Sequence, residues 1–219
     1  MMRQILAPSI LSADFKILGE QMALCEKGGA EYLHFDVMDG MFVQNISFGI
    51  PVLESIKGFS GMVLDVHLMV TEPIRYVEAF AKAGADILTV HYEACEDVQA
   101  TLDQIHACGI KAGITIKPDT PVEVLKPYLD QVDMFLIMSV EPGQGGQGFI
   151  PESLEKIRVL REMLQEKGLD TDIEVDGGIK LENVAEVAKA GANVMVAGSA
   201  VFRGDIEENV SGFMRILKD

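Results

Sequence analysis

Four side chains suited to metal and proton chemistry stand at the ends of short apolar runs. In Leu33-His34-Phe35-Asp36, polar residues alternate with apolar ones. Residues two apart in an extended chain point to one side, so His34 and Asp36 share a face. Leu64-Asp65-Val66-His67 repeats the alternation, and Asp172-Ile173-Glu174-Val175-Asp176 runs straight into Gly177-Gly178. His34, Asp36, His67 and Asp176 together are a borderline donor set suited to one divalent ion, Zn2+, Fe2+, Mn2+ or Co2+, with nothing to choose among these. Any one of them could be an ordinary hydrogen-bonded residue. Four at equivalent ends of three runs fit that reading poorly, because unpaired buried carboxylates are costly.

A second group is built from glycine. Pro142-Gly143-Gln144-Gly145-Gly146-Gln147, Asp176-Gly177-Gly178 and Gly198-Ser199 each follow a later apolar run. Consecutive glycines let backbone N–H groups turn towards an anion, and Gly198-Ser199 also opens a short helical stretch, Ala200–Arg203. The three together predict a ligand with a terminal phosphate. Met38, Met69 and Met138 sit at or just past run ends. They are either core methionines or a polarizable, water-excluding floor under a delocalised anion. His91, alone at the end of its run, is expected to be structural. The charged residues of 152–167 read as a solvated helix face.

The elements that must position these groups alternate along the whole chain. Apolar runs lie at Ile5–Ile10, Tyr32–Val37, Met62–Leu68, Ile87–His91, Ile110–Ile116, Met134–Val140, Ile173–Val175 and Val194–Ala197. Their near-continuous apolar character predicts parallel strands covered on both faces. Helical stretches are expected at Lys16–Lys27, Pro51–Lys57, Pro73–Ala83, Asp97–Cys108, Val122–Leu125, Pro151–Lys167, Leu181–Ala190 and Asp205–Leu217, three of them opened by proline. KGGAEYLHF, KAGADILTV and KAGANVMVA each join a helix end, a capping glycine and a strand. Their alanines, Ala30, Ala85 and Ala192, are spaced by two and four units of about 27 residues. Eight such units predict an α/β fold, a single-domain (β/α)8 TIM barrel over residues 1–219, with its active face at the strand C-terminal ends.

Composition narrows the partners. With 18 basic against 34 acidic residues and a net charge of −16, the chain repels nucleic acid, and a phosphate site must lean on backbone N–H groups. Cys25, Cys95 and Cys108 are too few and scattered for a disulfide framework, and Cys25 and Cys108 read as buried, inert thiols. No signal peptide or membrane span is expected, and the reading is cytoplasmic.

LAPSILSADF, HFDVMDGMFVQNISFG, DVHLMV, KPDTP, MSVEPGQGGQGFI, EVDGGI and VAGSAVF occur in that order from Ala7 to about Phe202. This series resembles the ribulose-phosphate 3-epimerase family. The resemblance implies a ribulose-phosphate-binding barrel, a homo-oligomer, and an isomerase that interconverts D-ribulose 5-phosphate and D-xylulose 5-phosphate. It implies proton transfer at C3 through a metal-stabilised enediolate, with His34, Asp36, His67 and Asp176 as metal ligands and Asp36 and Asp176 as the acid/base pair. Substrate contacts then fall on Ser9, His67, Gly143, Gln144, Gly145, Gly146, Asp176, Gly177, Gly178, Gly198 and Ser199. Three positions depart from the pattern: Gln144, Gln44 and Asp119. Gln144 and Asp119 keep open the same epimerisation on D-allulose 6-phosphate. A sugar-phosphate lyase would need a lysine near the reacting carbon, for which Lys117 is the candidate; a non-catalytic phosphate- or metal-binding barrel would not need the two aspartates.

Overall fold

The computed structural model describes residues 2–218. Its eight strands are β1 Ile5–Pro8, β2 Tyr32–Met38, β3 Val63–Met69, β4 Ile87–His91, β5 Lys111–Ile116, β6 Met134–Met138, β7 Asp172–Asp176 and β8 Val194–Ala197. All pair in parallel in the order β1-β8-β7-β6-β5-β4-β3-β2. A parallel bridge between Ser9 and His34 joins β1 to β2 and closes the ring. The helices outside it are α1 Leu18–Gly28, α2 Ile50–Ile56, α3 Val77–Ala83, α4 Val98–Ala107, α5 Ser153–Glu166, α6 Val184–Ala190, α7 Ser199–Phe202 and α8 Ile206–Lys218. This is the (β/α)8 barrel the alternation implied. No helix among the described residues is long and apolar enough to cross a membrane.

Strand β2 shows how the sequence sorts itself. All seven of its residues are buried. Leu33, Phe35 and Val37 face outwards into the large apolar layer shared with the helices. The alternate set faces inwards, and there Tyr32 joins Ile5, Ala7, Ile87, Met134, Val194 and Val196 to plug the lower end. His34 and Asp36 come next along the same inward face. Polar residues at these positions are therefore held in packed surroundings, not on mobile loops.

The fifth unit differs from expectation. Val122–Tyr128 is 3-10 helix with Pro127 inside it, because proline cannot donate to an α-helical ladder. The 73–83 stretch likewise begins as 3-10 turns over Pro73–Tyr76 before α3. The first strand ends at Pro8, and Ile10–Ser12 is a 3-10 turn. Gly29, Gly84 and Gly191 do cap α1, α3 and α6 with positive φ, as the repeated phrases implied. Cys25 is buried, whereas Cys108 is only half-buried at the end of α4.

Candidate functional site

Strand register assembles the polar cluster. In the β2–β3 pairing His34 lies beside Asp65 and Asp36 beside His67. Asp176, at the end of β7, reaches the same place from across the ring. His34 Nε2 is 3.3 Å and His67 Nδ1 3.2 Å from Asp36 Oδ1, and His67 Nδ1 is 4.0 Å from Asp176 Oδ2. One ligand-type atom from each of His34, Asp36, His67 and Asp176 lies within 4.8 Å of the other three. His34 Nε2 is fully buried yet makes no hydrogen bond. An unbonded imidazole nitrogen aimed at two carboxylates, with a second imidazole beside them, fits a divalent cation. Ser9 donates to the other oxygen of Asp36 at 2.5 Å.

The two aspartates titrate in opposite directions. Burial works against the charge of Asp36, but His34 and His67 outweigh it and hold this carboxyl below the usual carboxylate range. At Asp176, burial and the nearby charge of Asp36 raise the pKa to about 6. Burial opposes a charge on His34 too, yet Asp36, Glu174 and Asp65 together raise its pKa well above the ordinary imidazole value.

Behind this cluster lies a layer that the spacing exposed but no role was given to. His34 Nδ1 is 2.6 Å from Asp65 Oδ2 and 3.4 Å from Glu174 Oε1, all three side chains being fully buried. Burial and then the Asp65 charge push Glu174 well above the usual range, towards its neutral form. His67 Nε2 lies 2.9 Å from His91 Nε2. Burial brings His91 down to about 4, and Glu93 beside it is held down to about 2 by hydrogen bonds from His91, Thr120 and Lys117, against the effect of burial. His91 was expected to be a structural residue, and it does support the cluster rather than line the cavity. The available signal was periodicity: Asp65 and Glu174 sit two residues before His67 and Asp176 on the same inward faces.

Above the cluster opens a cavity at the C-terminal ends of the strands, as this architecture requires. Ser9, Asp36 and Asp176 line it with Met38, Met69 and Met138, and so do Gly143, Gln144, Gly145, Gly146, Gly177, Gly178, Gly198 and Ser199. His34 and His67 do not reach it; both are fully buried beneath Asp36. His67, expected to touch substrate, is thus placed beneath the lining residues. Gly178 has φ +65, and a Cβ there would lie 2.4 Å from the Phe149 nitrogen, so only glycine fits this turn. Asn45 Nδ2 donates to the Gly143 carbonyl at 2.5 Å, tying the loop after β2 to the loop after β6 across the mouth.

Basic residues are placed differently from expectation. Lys180 and Arg203 line the cavity beside the glycines, adding side-chain cations to a site that the charge balance expected to lean more on backbone. Lys117, the lysine named for a lyase, packs over the Phe42 ring at 4.1 Å and does not line the cavity. Of the two positions that kept a hexose phosphate open, Gln144 lines the cavity and Asp119 does not.

Comparison with known proteins agrees with this geometry. Residues 5–202 match the model of the ribulose-phosphate 3 epimerase family. The chain is 54% identical over 200 residues to the ribulose-phosphate 3-epimerase of Synechocystis, covering 90% of this chain and 87% of that one. It is 52% identical to the Bacillus subtilis ribulose-phosphate 3-epimerase over 197 residues, 90% of this chain and 91% of the other. Among solved structures, a 3-hexulose-6-phosphate synthase superposes with a TM-score of 0.73 at 16% identity, over 97% of this chain and 99% of that one, a likeness of fold. By the extent of these matches, the chain belongs to the ribulose-phosphate 3-epimerase family.

Proposed function

We propose that the cavity epimerises C3 of a phosphorylated ketose, interconverting D-ribulose 5-phosphate and D-xylulose 5-phosphate, and that residues 1–219 act as one catalytic domain. The observation that carries this reading is that Asp36 and Asp176, with opposite proton affinities, line one cavity together with the glycine loops.

Inverting a carbon next to a carbonyl requires loss of its proton on one face and return of a proton on the other. Asp36, held ionised, is the base in one direction; Asp176, which retains its proton to higher pH, is the acid, and the reverse reaction exchanges the roles. Ser9 fixes the orientation of Asp36 by donating to its second oxygen. Met38, Met69 and Met138 keep water from the planar anion that forms between the two transfers. Backbone N–H groups of Gly143, Gly145, Gly146, Gly177, Gly178 and Gly198, with Gln144 and Ser199, hold the phosphate, so that the reacting carbon sits between the carboxyls. His34, Asp36, His67 and Asp176 would hold the divalent ion, Zn2+, Fe2+, Mn2+ or Co2+. When bound there, it supplies positive charge next to the developing enediolate.

The same reading extends to a cytoplasmic homo-oligomer. Three free cysteines suit a reducing compartment. Met41 and Ile46, 81% and 80% exposed on the loop after β2, offer apolar surface to a second copy. The decisive experiment is turnover of D-ribulose 5-phosphate in deuterated water. Xylulose 5-phosphate carrying deuterium at C3, with the carbon chain intact, is expected; carbon–carbon cleavage or the absence of exchange would overturn the assignment. Parallel rates on D-allulose 6-phosphate decide what Gln144 permits.

A further inference from the structure

We propose that Glu93, acting through His91, is a positioning residue that favours the cation-binding form of His67, the one with its proton on Nε2. The inference rests on the cation reading of the His34–Asp36–His67–Asp176 cluster. His67 turns Nδ1 towards that cluster, 3.2 Å from Asp36 Oδ1 and 4.0 Å from Asp176 Oδ2. A nitrogen that binds a cation must present its lone pair, so with the cation bound the His67 proton belongs on Nε2, whereas without it the ionised Asp36 Oδ1 at 3.2 Å accepts from Nδ1–H.

From there the assignment propagates outwards. His67 Nε2 is 2.9 Å from His91 Nε2, and two imidazole nitrogens bond only when one carries hydrogen and the other does not. His91 Nε2 must therefore accept, which leaves its own proton on Nδ1. The acidic group facing that nitrogen is Glu93, with Oε2 at 3.4 Å. Glu93 is itself held from the far side, because its other oxygen accepts from the Lys117 backbone N–H at 2.7 Å and from the Thr120 hydroxyl. Phe42 packs against His91 with ring centroids 4.7 Å apart and shields the chain of contacts. His34 needs no such intermediary, since its Nδ1 meets Asp65 directly at 2.6 Å. The two metal-facing histidines are thus oriented by different devices, a direct carboxylate for one and an imidazole–carboxylate pair for the other.

The test measures Zn2+ affinity of metal-stripped protein by chelator competition, together with 15N-resolved imidazole signals of the Zn2+-loaded chain. In Glu93→Gln, the amide oxygen can still accept from Lys117 and Thr120, which turns the amide NH2 towards His91. That favours the opposite His91 tautomer, which cannot accept from His67 Nε2–H and so opposes the cation-binding form. The expected result is a loss of about tenfold or more in Zn2+ affinity, with His91 losing its Nδ1–H form in the loaded chain. Thr120→Val removes a loop contact of Glu93 without touching His91, and its affinity should stay at the wild-type value. An unchanged tautomer and affinity in Glu93→Gln overturns the proposal, and so does an equal loss in Thr120→Val, which would assign Glu93 to loop stability alone. Should Glu93→Gln not fold, His91→Phe removes the acceptor for His67 and must lose the same affinity; wild-type affinity there overturns the proposal. If the unaltered protein takes up no Zn2+, the cation reading fails and this proposal with it; Zn2+ uptake with unchanged affinity in Glu93→Gln overturns the proposal alone.

Discussion

The two sides of the barrel mouth are built from opposite materials. On the β2–β4 side, imidazoles and carboxylates are packed beneath the surface, with His34 held by Asp65, His67 by His91 and Asp36 by Ser9, and Asp176 joins this group from the end of β7. On the β6–β8 side, side chains are largely withdrawn and backbone is exposed, as in Gly143–Gly146, Gly177-Gly178 and Gly198. The contrast follows from what each side handles. Moving a proton needs groups whose affinities are tuned by burial and neighbouring charge. Gripping a phosphate needs many donors with little bulk, which backbone supplies in an acidic protein.

The largest expected effect comes from breaking the first side. Asp36→Asn or Asp176→Asn should lower turnover by about two orders of magnitude or more, as loss of a general acid or base does. Binding of inorganic phosphate, measured by calorimetry, should change little, because the glycine loops are untouched. A variant that turns over near the wild-type rate would remove that carboxylate from the proton path.

Breaking the second side should give the converse pattern. Gly178→Ala forces a Cβ to within 2.4 Å of the Phe149 nitrogen at φ +65, so the loop must move. We expect kcat/KM to drop about tenfold, mainly through KM, as for lost ground-state positioning. Zn2+ affinity should remain intact. Equal losses of metal and substrate binding would mean that the two sides are not separable.

Acid should act on the first side alone. Asp176 has its pKa raised to about 6, and a cation bound through one carboxyl oxygen competes with a proton on the group. Affinity for Zn2+ therefore falls further as pH drops through that value, by about tenfold per pH unit for each proton displaced, in addition to the loss from protonated His34, whose pKa is also raised. Affinity that stays flat between pH 7 and pH 5 would show that Asp176 is not a ligand.

The two sides were also unequally legible in the sequence. Inward and outward faces follow from period-two alternation, so His34, Asp36, His67 and Asp176 could be placed at one mouth before any coordinates. The glycine loops were legible because few other roles demand glycine in such runs. What alternation cannot convey is depth. His67 and Asp36 share a row in the sheet, yet Asp36 lines the cavity and His67 is sealed below it. Nor does it convey pairing between strands distant in sequence: His91 and Glu93 meet the cluster only because β4 lies beside β3. In the fifth unit, Pro127 turned an expected helix into 3-10 turns, a local effect that the apolar pattern of Val122–Leu125 conceals.

Arg203 sharpens the comparison at its smallest scale. The acidic charge balance argued for a phosphate grip made more of backbone than of cations, and this guanidinium lines the cavity near Gly145, Gly146 and Ser199. Among the described residues it has no carboxylate within salt-bridge distance. Being exposed, it acts through solvent and is screened by salt, so its effect should be small and conditional. Arg203→Gln is expected to raise KM for the phosphorylated ketose by about two- to fivefold at low ionic strength, with kcat unchanged. At several hundred millimolar salt the difference should vanish, because the Debye length then falls well below about 8 Å. A KM identical to wild type at low salt would return the whole phosphate grip to the backbone. A change in kcat would instead place Arg203 nearer the proton-transfer side than its position on α7's C-terminal edge allows.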